Sequence, residues 1–397
     1  SATVIRHLSE GLGRQQRLVS AQVSAMTGAR ADGSAARDSV YRFRHHLYQQ
    51  YLYENLDAVE RSVLHERTGN ELAARVGQGN ETFAAELAWH FEQAGAPVKA
   101  AHYLHMAGVS AIRAAAVQEG IAHLRKGIDL LSTLPDTEMC ADQELTVQLA
   151  LGAALNVKQG HAAPEVHTAF ERATVLATQT GATQRLVLAL WNAKSFHDVR
   201  AEYAQALALE KRLLVIAENS GKARWSLIAH MSLGFTQLRM GELTTAYRHL
   251  ERALKIYDPV RHANLAEYHG ADPGVACLGL AAHALWILGR STFADRYCAA
   301  SLAFAKELGR PYSIVYAQFV NTALYVLRGV VDAAAISAKQ TGSLAEEHDF
   351  ALLGAGAVIY SAWADFRAGE SDAEHASALL DASITRFMAT GARIDQP

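Results

Sequence analysis

Apolar and polar residues alternate with a helical period along most of the chain, most clearly over residues 223–259. Two apolar stripes with three- and four-residue spacing flank Gly241, which predicts two amphipathic helices joined by a tight turn. Gly234 lies near the middle of the first helix, where a small residue allows a close helix crossing. The apolar face of the second helix consists of Ala246, Leu250 and Ala253. This spacing of small and large residues is typical of a tetratricopeptide repeat.

Turn glycines continue after this hairpin at Gly289, Gly329 and Gly369. The intervals are 289 − 241 = 48, 329 − 289 = 40 and 369 − 329 = 40 residues. Two-helix units of about 34 residues with somewhat longer helices or loops give such intervals. The longer interval contains an insertion, residues 258–274, for which we predict a structured loop with a short helix around 264–269. Residues 76–397 are therefore predicted to form an all-α, tetratricopeptide-like right-handed superhelix of helical hairpins.

Residues 1–75 follow a different pattern, which predicts a small winged-helix-like α/β segment and a linker helix. Alternating residues at 17–23 and 40–44 favour two paired strands, and we expect no strand after residue 45. The polar, glycine-containing stretch 27–38 is predicted to be a loop. A helix is expected to begin at His45, and a linker helix is expected over residues 58–76.

Composition narrows the functional classes. The 397 residues are 50% hydrophobic and 19% charged, which is enough apolar surface for a continuous core. A formal net charge of −3 argues against direct nucleic-acid binding by this chain. No apolar run is long enough to span a membrane, so no membrane association is expected. The sequence lacks a signal peptide and has three widely separated cysteines, which predicts a cytoplasmic location with free thiols.

The sequence contains no residue pattern typical of catalysis. Its 18 histidines form no HExxH motif, and neither a GxSxG elbow nor a GxxxxGK[ST] phosphate loop is present. We therefore expect a protein that is not an enzyme and that has no cofactor and no metal site. Three polar residues of the insertion are expected to tie that loop to neighbouring helices: His262, His269 and Asp272.

The strongest functional signal is a ladder of aromatic and apolar residues on the predicted inner face of the superhelix. If the turn glycines mark equivalent positions, the residues at fixed distances before them line the concave wall. An open wall would hold a protein or peptide partner, a partner helix or a small apolar ligand. The alternative, equally open at this point, is that the same residues pack as the core of a tight superhelix. The ladder consists of Ile228, Met231, Phe235, His283, Trp286, Tyr316, Phe319, Ile359, Trp363 and Phe366.

Several short motifs, taken in order, resemble the junction and sensor region of STAND-type signalling ATPases. They are YRFRHHLYQQ at 41–50, LHE at 64–66, AWHFEQAG at 88–95, APEV at 163–166 and DPGV at 272–275. In that family a nucleotide-binding module is followed by a winged helix and a tetratricopeptide-like sensor. Many members are fused to class III adenylate cyclases or to DNA-binding domains. The resemblance covers almost the whole chain and implies an upstream ATPase module. The chain also stops directly after a helix without a closing partner, so we expect a fragment of a longer protein.

The resemblance also implies a role for Arg44 and His45. In the family a winged-helix histidine at the strand-to-helix step senses the phosphate of bound nucleotide, and His45 stands at the matching step. A helix N-terminus beside a histidine and an arginine attracts phosphate, which agrees with that role. Equally open is a role in which His45 only caps or packs its helix. Because the phosphate loop is missing, these residues are expected to sense nucleotide only together with the ATPase module.

Two functional hypotheses follow. The leading one is a non-catalytic sensor or protein-interaction scaffold of a STAND-like signalling ATPase or transcriptional regulator. Binding of a ligand or partner in the superhelix would then be relayed through the winged helix. The alternative is a free-standing tetratricopeptide adaptor protein with no nucleotide switch.

Overall fold

The computed structural model describes residues 12, 17–22, 26–29, 35–37, 40–76, 81–266, 271–348, 350–389 and 393. The chain divides into two compact units, Ser1–Tyr103 and Leu104–Pro397. Helix makes up 83% of the structure, and its helical hairpins confirm the predicted tetratricopeptide-like fold. The domain boundary after residue 75 stays a prediction. None of the described helices combines the length and apolar character that crossing a membrane requires.

The first unit contains four short strands. They are β1 (Val19–Gln22), β2 (Met26–Ala29), β3 (Ala35–Arg37) and β4 (Val40–Phe43). Strand β1 pairs antiparallel with β4, with Val19 opposite Phe43, which confirms the predicted pairing. Strand β2 pairs antiparallel with β3, so the prediction of a loop over 27–38 is wrong for most of that stretch. Hydrogen bonding between the two backbones forms this ladder although its small residues have low strand propensity.

Four helices begin in the first unit, and all its described strands precede them. They are α1 (His46–Glu54), α2 (Ala58–Val76), α3 (Ala84–Gln93) and α4 (Pro97–Arg113), with a 3₁₀ turn over Glu81–Phe83. The unit boundary falls within α4. Helix α2 packs against α3 through Gly69, where an added Cβ would lie 3.1 Å from the Phe91 ring. The winged-helix assignment of this unit stays a prediction.

The second unit is a stack of helical hairpins in which helices adjacent along the chain pack together. The helices are α5 (Val117–Ser132), α6 (Glu138–Gln159), α7 (Pro164–Gln179), α8 (Thr183–Val199), α9 (Tyr203–Ser220), α10 (Ala223–Arg239), α11 (Leu243–Ile256), α12 (Pro273–Ile287), α13 (Ser291–Leu308), α14 (Pro311–Arg328), α15 (Val331–Glu347), α16 (Ala351–Ala368) and α17 (Ala373–Ala389). The first helices α10, α12, α14 and α16 of successive hairpins also contact one another in order. These first helices form the inner layer of the stack.

The tight turns inside the hairpins are made by residues in the left-handed conformation. The four predicted turn glycines all have positive φ, for example 78° at Gly241 and 77° at Gly289, which confirms the predicted hairpin turns. Glycine adopts this conformation without the steric cost that a Cβ imposes. The turn between α8 and α9 uses Ala201, with φ 58°, at the equivalent position.

The insertion between α11 and α12 is structured as predicted. Its described part contains a 3₁₀ turn over Ala263–Leu265. His262 is buried and its Nδ1 accepts a hydrogen bond of 3.0 Å from the Asp258 N–H. Asp272 caps α12 by accepting from the Gly274 N–H at 2.9 Å, and it accepts from the Tyr257 hydroxyl at 2.8 Å. The structural role expected for these two residues is confirmed, whereas His269 lies outside the described residues.

Candidate functional site

Two adjoining cavities open between the first helices α8 and α10. The larger has a volume of about 650 Å³ and lies at the N-terminal ends of both helices. We call it the basic cavity because Arg185, Lys222 and Arg224 line it. The smaller has a volume of about 220 Å³, and we call it the lysine cavity because Lys194 lines it. Trp191 lines both, so the two cavities form one groove along α8.

The walls of the lysine cavity come from four first helices of the stack. Trp191 and Val199 come from α8, and Met231 and Phe235 from α10. Helices α12 and α14 contribute small and aromatic groups, among them Tyr316. The cavity is thus mainly apolar and aromatic, with polar groups at one side.

A buried ionic network forms the polar side of the lysine cavity. Lys194 and Asp198 are one helical turn apart on α8, and the Lys194 Nζ lies 2.6 Å from Asp198 Oδ2. The same Nζ lies 3.7 Å from Glu210 Oε1 on α9. All three residues are at most 5% exposed. The Lys194 ammonium also lies 4.1 Å from the centre of the Trp191 ring, where the ring's negative face stabilises it.

Glu210 is the most buried member of this network. Its Oε1 accepts hydrogen bonds from the hydroxyls of Ser232, at 2.6 Å, and Thr236, at 2.8 Å. Its Oε2 is buried and has no hydrogen-bond partner within the described part of the chain. Burial raises the pKa of Glu210, and Lys194 opposes that rise. Burial likewise lowers the pKa of His161, which lines the same cavity, and Lys194 lowers it further.

The basic cavity combines cationic and apolar groups. Arg185 is held by Asp142, and its Nη1 donates to the Thr146 hydroxyl at 3.1 Å. The Lys222 ammonium lies 4.2 Å from the centre of the Trp225 ring. The remaining side chains of the wall are mostly apolar and include Val187, Leu188, Ile228 and Leu265. A cavity of this kind suits an apolar group that carries a negative charge.

Four of the ten ladder residues line these cavities. Ile228 lines the basic cavity, whereas Met231, Phe235 and Tyr316 line the lysine cavity. The structure therefore brings the ladder residues of α10 together with that of α14 around one space. Their role in binding stays a prediction.

The other six ladder residues lie along α12, α14 and α16, where they meet neighbouring side chains or solvent. His283 Nε2 lies 2.7 Å from the Val320 carbonyl, to which its N–H donates. Trp286 packs against Ala282, Cys298 and Leu324, and the Arg328 guanidinium lies 4.7 Å from its ring centre.

The remaining ladder residues continue this packing toward the end of the stack. Phe319 packs against Gly356, and its ring centre lies 5.2 Å from that of Tyr360. Trp363 lies 5.9 Å from the Arg367 guanidinium, Ile359 is half-buried and Phe366 is 46% exposed.

The sequence reading missed the α8 side of the groove because it started its register at Gly241. The turn that ends α8 contains Ala201 instead of a glycine, one 40-residue interval earlier (241 − 201 = 40). Trp191 and Met231 then occupy the same register (201 − 191 = 10 and 241 − 231 = 10). Extending the 40-residue interval backward would have found Trp191, although not the ionic network beside it.

Arg44 and His45 lie at the strand-to-helix step as predicted, and both are exposed. The His45 Nδ1 accepts a hydrogen bond of 3.2 Å from the Leu47 N–H at the start of α1. His45 is thus the N-cap of α1, which agrees with the capping alternative, and its role toward nucleotide stays a prediction. Among the described residues, no three His, Cys, Asp or Glu side chains are grouped so that they could hold a metal ion.

No family model matches the chain. A curated relative, an uncharacterized protein of Rhizobium meliloti (strain 1021), is 21% identical over 346 residues, which cover 86% of this chain and 33% of the relative. The chain therefore spans about a third of the length of the curated relative that it matches.

Two solved structures share the fold. One is a Rap protein complexed with competence and sporulation factor, with a TM-score of 0.51, 12% identity, and coverage of 87% of this chain and 90% of that chain. The other is the Rap conjugation gene regulator of the plasmid pLS20 in complex with the Phr* peptide, with a TM-score of 0.52, 11% identity, and coverage of 87% and 94%. At such identities the similarity shows the fold alone.

A STAND protein with a tetratricopeptide repeat sensor from Pyrococcus horikoshii is also similar, over 87% of this chain and 55% of that chain. Its TM-score is 0.46 and its sequence identity is 13%. That score is too low to support the STAND assignment of this chain.

Proposed function

We propose that the second unit is a sensor that binds a short peptide in the groove formed by the basic and lysine cavities. The observation that carries the proposal is the continuity of the two cavities through Trp191, with apolar walls and a few buried polar groups. The fold supports it, because the two Rap structures that share the fold are described as complexes with a peptide and with a signalling factor.

The dimensions and chemistry of the groove fit an extended peptide. A space of about 220 Å³ accommodates one apolar side chain, and the larger space of about 650 Å³ accommodates several residues. Trp191, Phe235 and Tyr316 provide rigid aromatic surface, which typically carries much of the binding free energy at peptide sites. The rigid ionic network beside them fixes the walls of the lysine cavity before binding, which reduces the entropy lost on association.

Binding of the peptide would serve signalling in a longer protein. The order of the STAND-like motifs and the length of the curated relative, about three times the matched part, support an upstream module. In this proposal peptide binding biases a STAND-like ATPase through the winged-helix segment, and Arg44 and His45 sense the nucleotide phosphate. The alternative remains a free-standing adaptor, which the full-length reading frame would show by lacking a phosphate-binding loop upstream of Ser1.

The peptide proposal is tested by affinity selection from a random heptapeptide library, with mass spectrometry of the retained peptides. The wild-type chain should retain a defined set of related sequences, and Trp191→Ala should weaken their binding about tenfold or more. Phe293→Ala is the matched control, because Phe293 is 52% exposed on the second helix α13 and lines neither cavity. Equal retention by Trp191→Ala and the wild type would place peptide binding outside the groove.

A further inference from the structure

We infer that the basic cavity binds the C-terminal carboxylate of the peptide, which fixes the direction in which the peptide lies. This inference rests on the proposed function and extends it to the class of ligand. Of the described residues that line this cavity, Arg185, Lys222 and Arg224 are cationic and none is acidic. Asp142 pairs with Arg185 from outside the lining and compensates only one of these three charges.

The surroundings of the cations favour a carboxylate attached to an apolar residue. Trp191, Trp225 and Ile228 cover much of the wall, and they exclude water from an ion pair formed there. Because a partly desolvated ion pair is screened less than one in water, the cations attract an anion more strongly than exposed lysines do. The N-termini of α8 and α10 lie at the same cavity, and no side chain caps either of them. Their dipoles add positive potential to that of the three side chains.

The other end of the groove disfavours an anion. In the lysine cavity one ammonium, that of Lys194, faces the two carboxyl groups of Asp198 and Glu210. A ligand carboxylate there would meet Asp198 and would have to displace it from Lys194. The two ends of the groove therefore differ in the sign of charge that they accept. A peptide with an apolar side chain in the lysine cavity then places its C-terminal end toward the basic cavity.

The experiment compares two random heptapeptide libraries that are identical except for a free carboxylate or a carboxamide at the C-terminus. The wild-type chain should retain the carboxylate library at least about tenfold better, and high ionic strength should reduce this preference. Leu188 lines the basic cavity and is 37% exposed, so a change there is compatible with folding. Leu188→Glu should abolish the preference, and Leu188→Lys, the matched variant of opposite charge, should preserve it.

Each outcome decides between the two proposals. Equal retention of both libraries, with binding still lost in Trp191→Ala, overturns the carboxylate inference and leaves the peptide groove intact. A preference that Leu188→Glu and Leu188→Lys change equally overturns it too, because the effect is then steric. Inorganic phosphate that protects the chain from thermal unfolding as well as the retained peptides do would indicate a free-anion site instead. Retention of neither library counts against the peptide groove itself.

Discussion

Gly234 on α10 lies directly against Leu250 on α11, so closely that a Cβ on Gly234 would be 2.5 Å from Leu250 Cγ. Leu250 is fully buried and has no room to move away. This contact allows the two helices of the hairpin to cross closely, as the sequence pattern predicted. The glycine is therefore needed for space and not for backbone conformation.

We expect Gly234→Leu to lower the free energy of unfolding by about 1–3 kcal/mol or more, because overpacking forces the hairpin apart. Chemical denaturation of the chain measures the change. Gly342→Ala is the matched control, because a Cβ there would lie 3.8 Å from that of Ala357, an ordinary contact. That substitution should stabilise α15 by up to about 1 kcal/mol through helix propensity. Equal effects of the two changes would contradict the close crossing.

Ala201 pays a conformational cost in the α8–α9 turn that the turn glycines avoid. Its φ of 58° is unfavourable for a residue with a Cβ. We expect Ala201→Gly to be neutral or stabilising by up to about 1 kcal/mol, and Gly241→Ala to destabilise by about the same amount. Thermal denaturation of both variants checks the opposite signs. A clear loss of stability in Ala201→Gly would show that the turn is not strained.

The pKa of Glu210 predicts how stability depends on pH. Burial raises this pKa above the value of 4.5 expected in the unfolded chain. The stability that the protonated carboxyl contributes is therefore complete below the unfolded pKa and is lost as the pH rises through the folded pKa. We expect the stability of Glu210→Gln relative to the wild type to increase over the same range, as measured by urea unfolding at several pH values. Glu251→Gln, on the outer helix α11, is the control and should show no such trend.

Trp191 and Trp286 should respond differently to truncation. Trp191 lines the groove, whereas Trp286 packs against buried Ala282, Cys298 and Leu324. We expect Trp286→Ala to cost about 3 kcal/mol of stability while the folded variant binds selected peptides normally. Trp191→Ala should instead weaken binding about tenfold or more. Calorimetric titration of folded protein and a denaturation curve of each variant separate the two effects. Reduced peptide affinity in a fully folded Trp286→Ala variant would extend the groove to α12.

His45 offers a test between helix capping and nucleotide sensing. Its side chain caps α1 by accepting the Leu47 N–H, so His45→Ala should destabilise α1 by about 1 kcal/mol. Asparagine is a good N-cap, so His45→Asn should restore most of that stability. In the full-length protein, nucleotide sensing predicts that both variants retain less nucleoside diphosphate. Normal nucleotide retention in His45→Asn, with a loss only in His45→Ala, would assign His45 to capping alone.

The repeat architecture was predictable because it depends on local periodicity. Apolar spacing predicted the helices, and the turn glycines predicted the hairpin turns, which positive φ values at Gly241 and Gly289 confirm. The loop predicted over 27–38 was wrong because strand pairing there depends on a partner backbone and not on local composition. Local rules also failed at Ala201, where a residue with a Cβ takes the conformation of a turn glycine.

The groove was only partly predictable for a related reason. Sequence register by itself determined that Met231 and Phe235 lie on the inner face of α10, because equivalent positions recur at a fixed distance before each turn. Only the tertiary structure decided that open space remains beside them, between α8 and α10, whereas Trp286 packs against its neighbours. Spacing between first helices depends on which side chains meet at each crossing, and those meet across tens of residues of sequence. The network of Lys194 and Glu210 has the same origin, since two adjacent hairpin helices must pack before their charges are buried together.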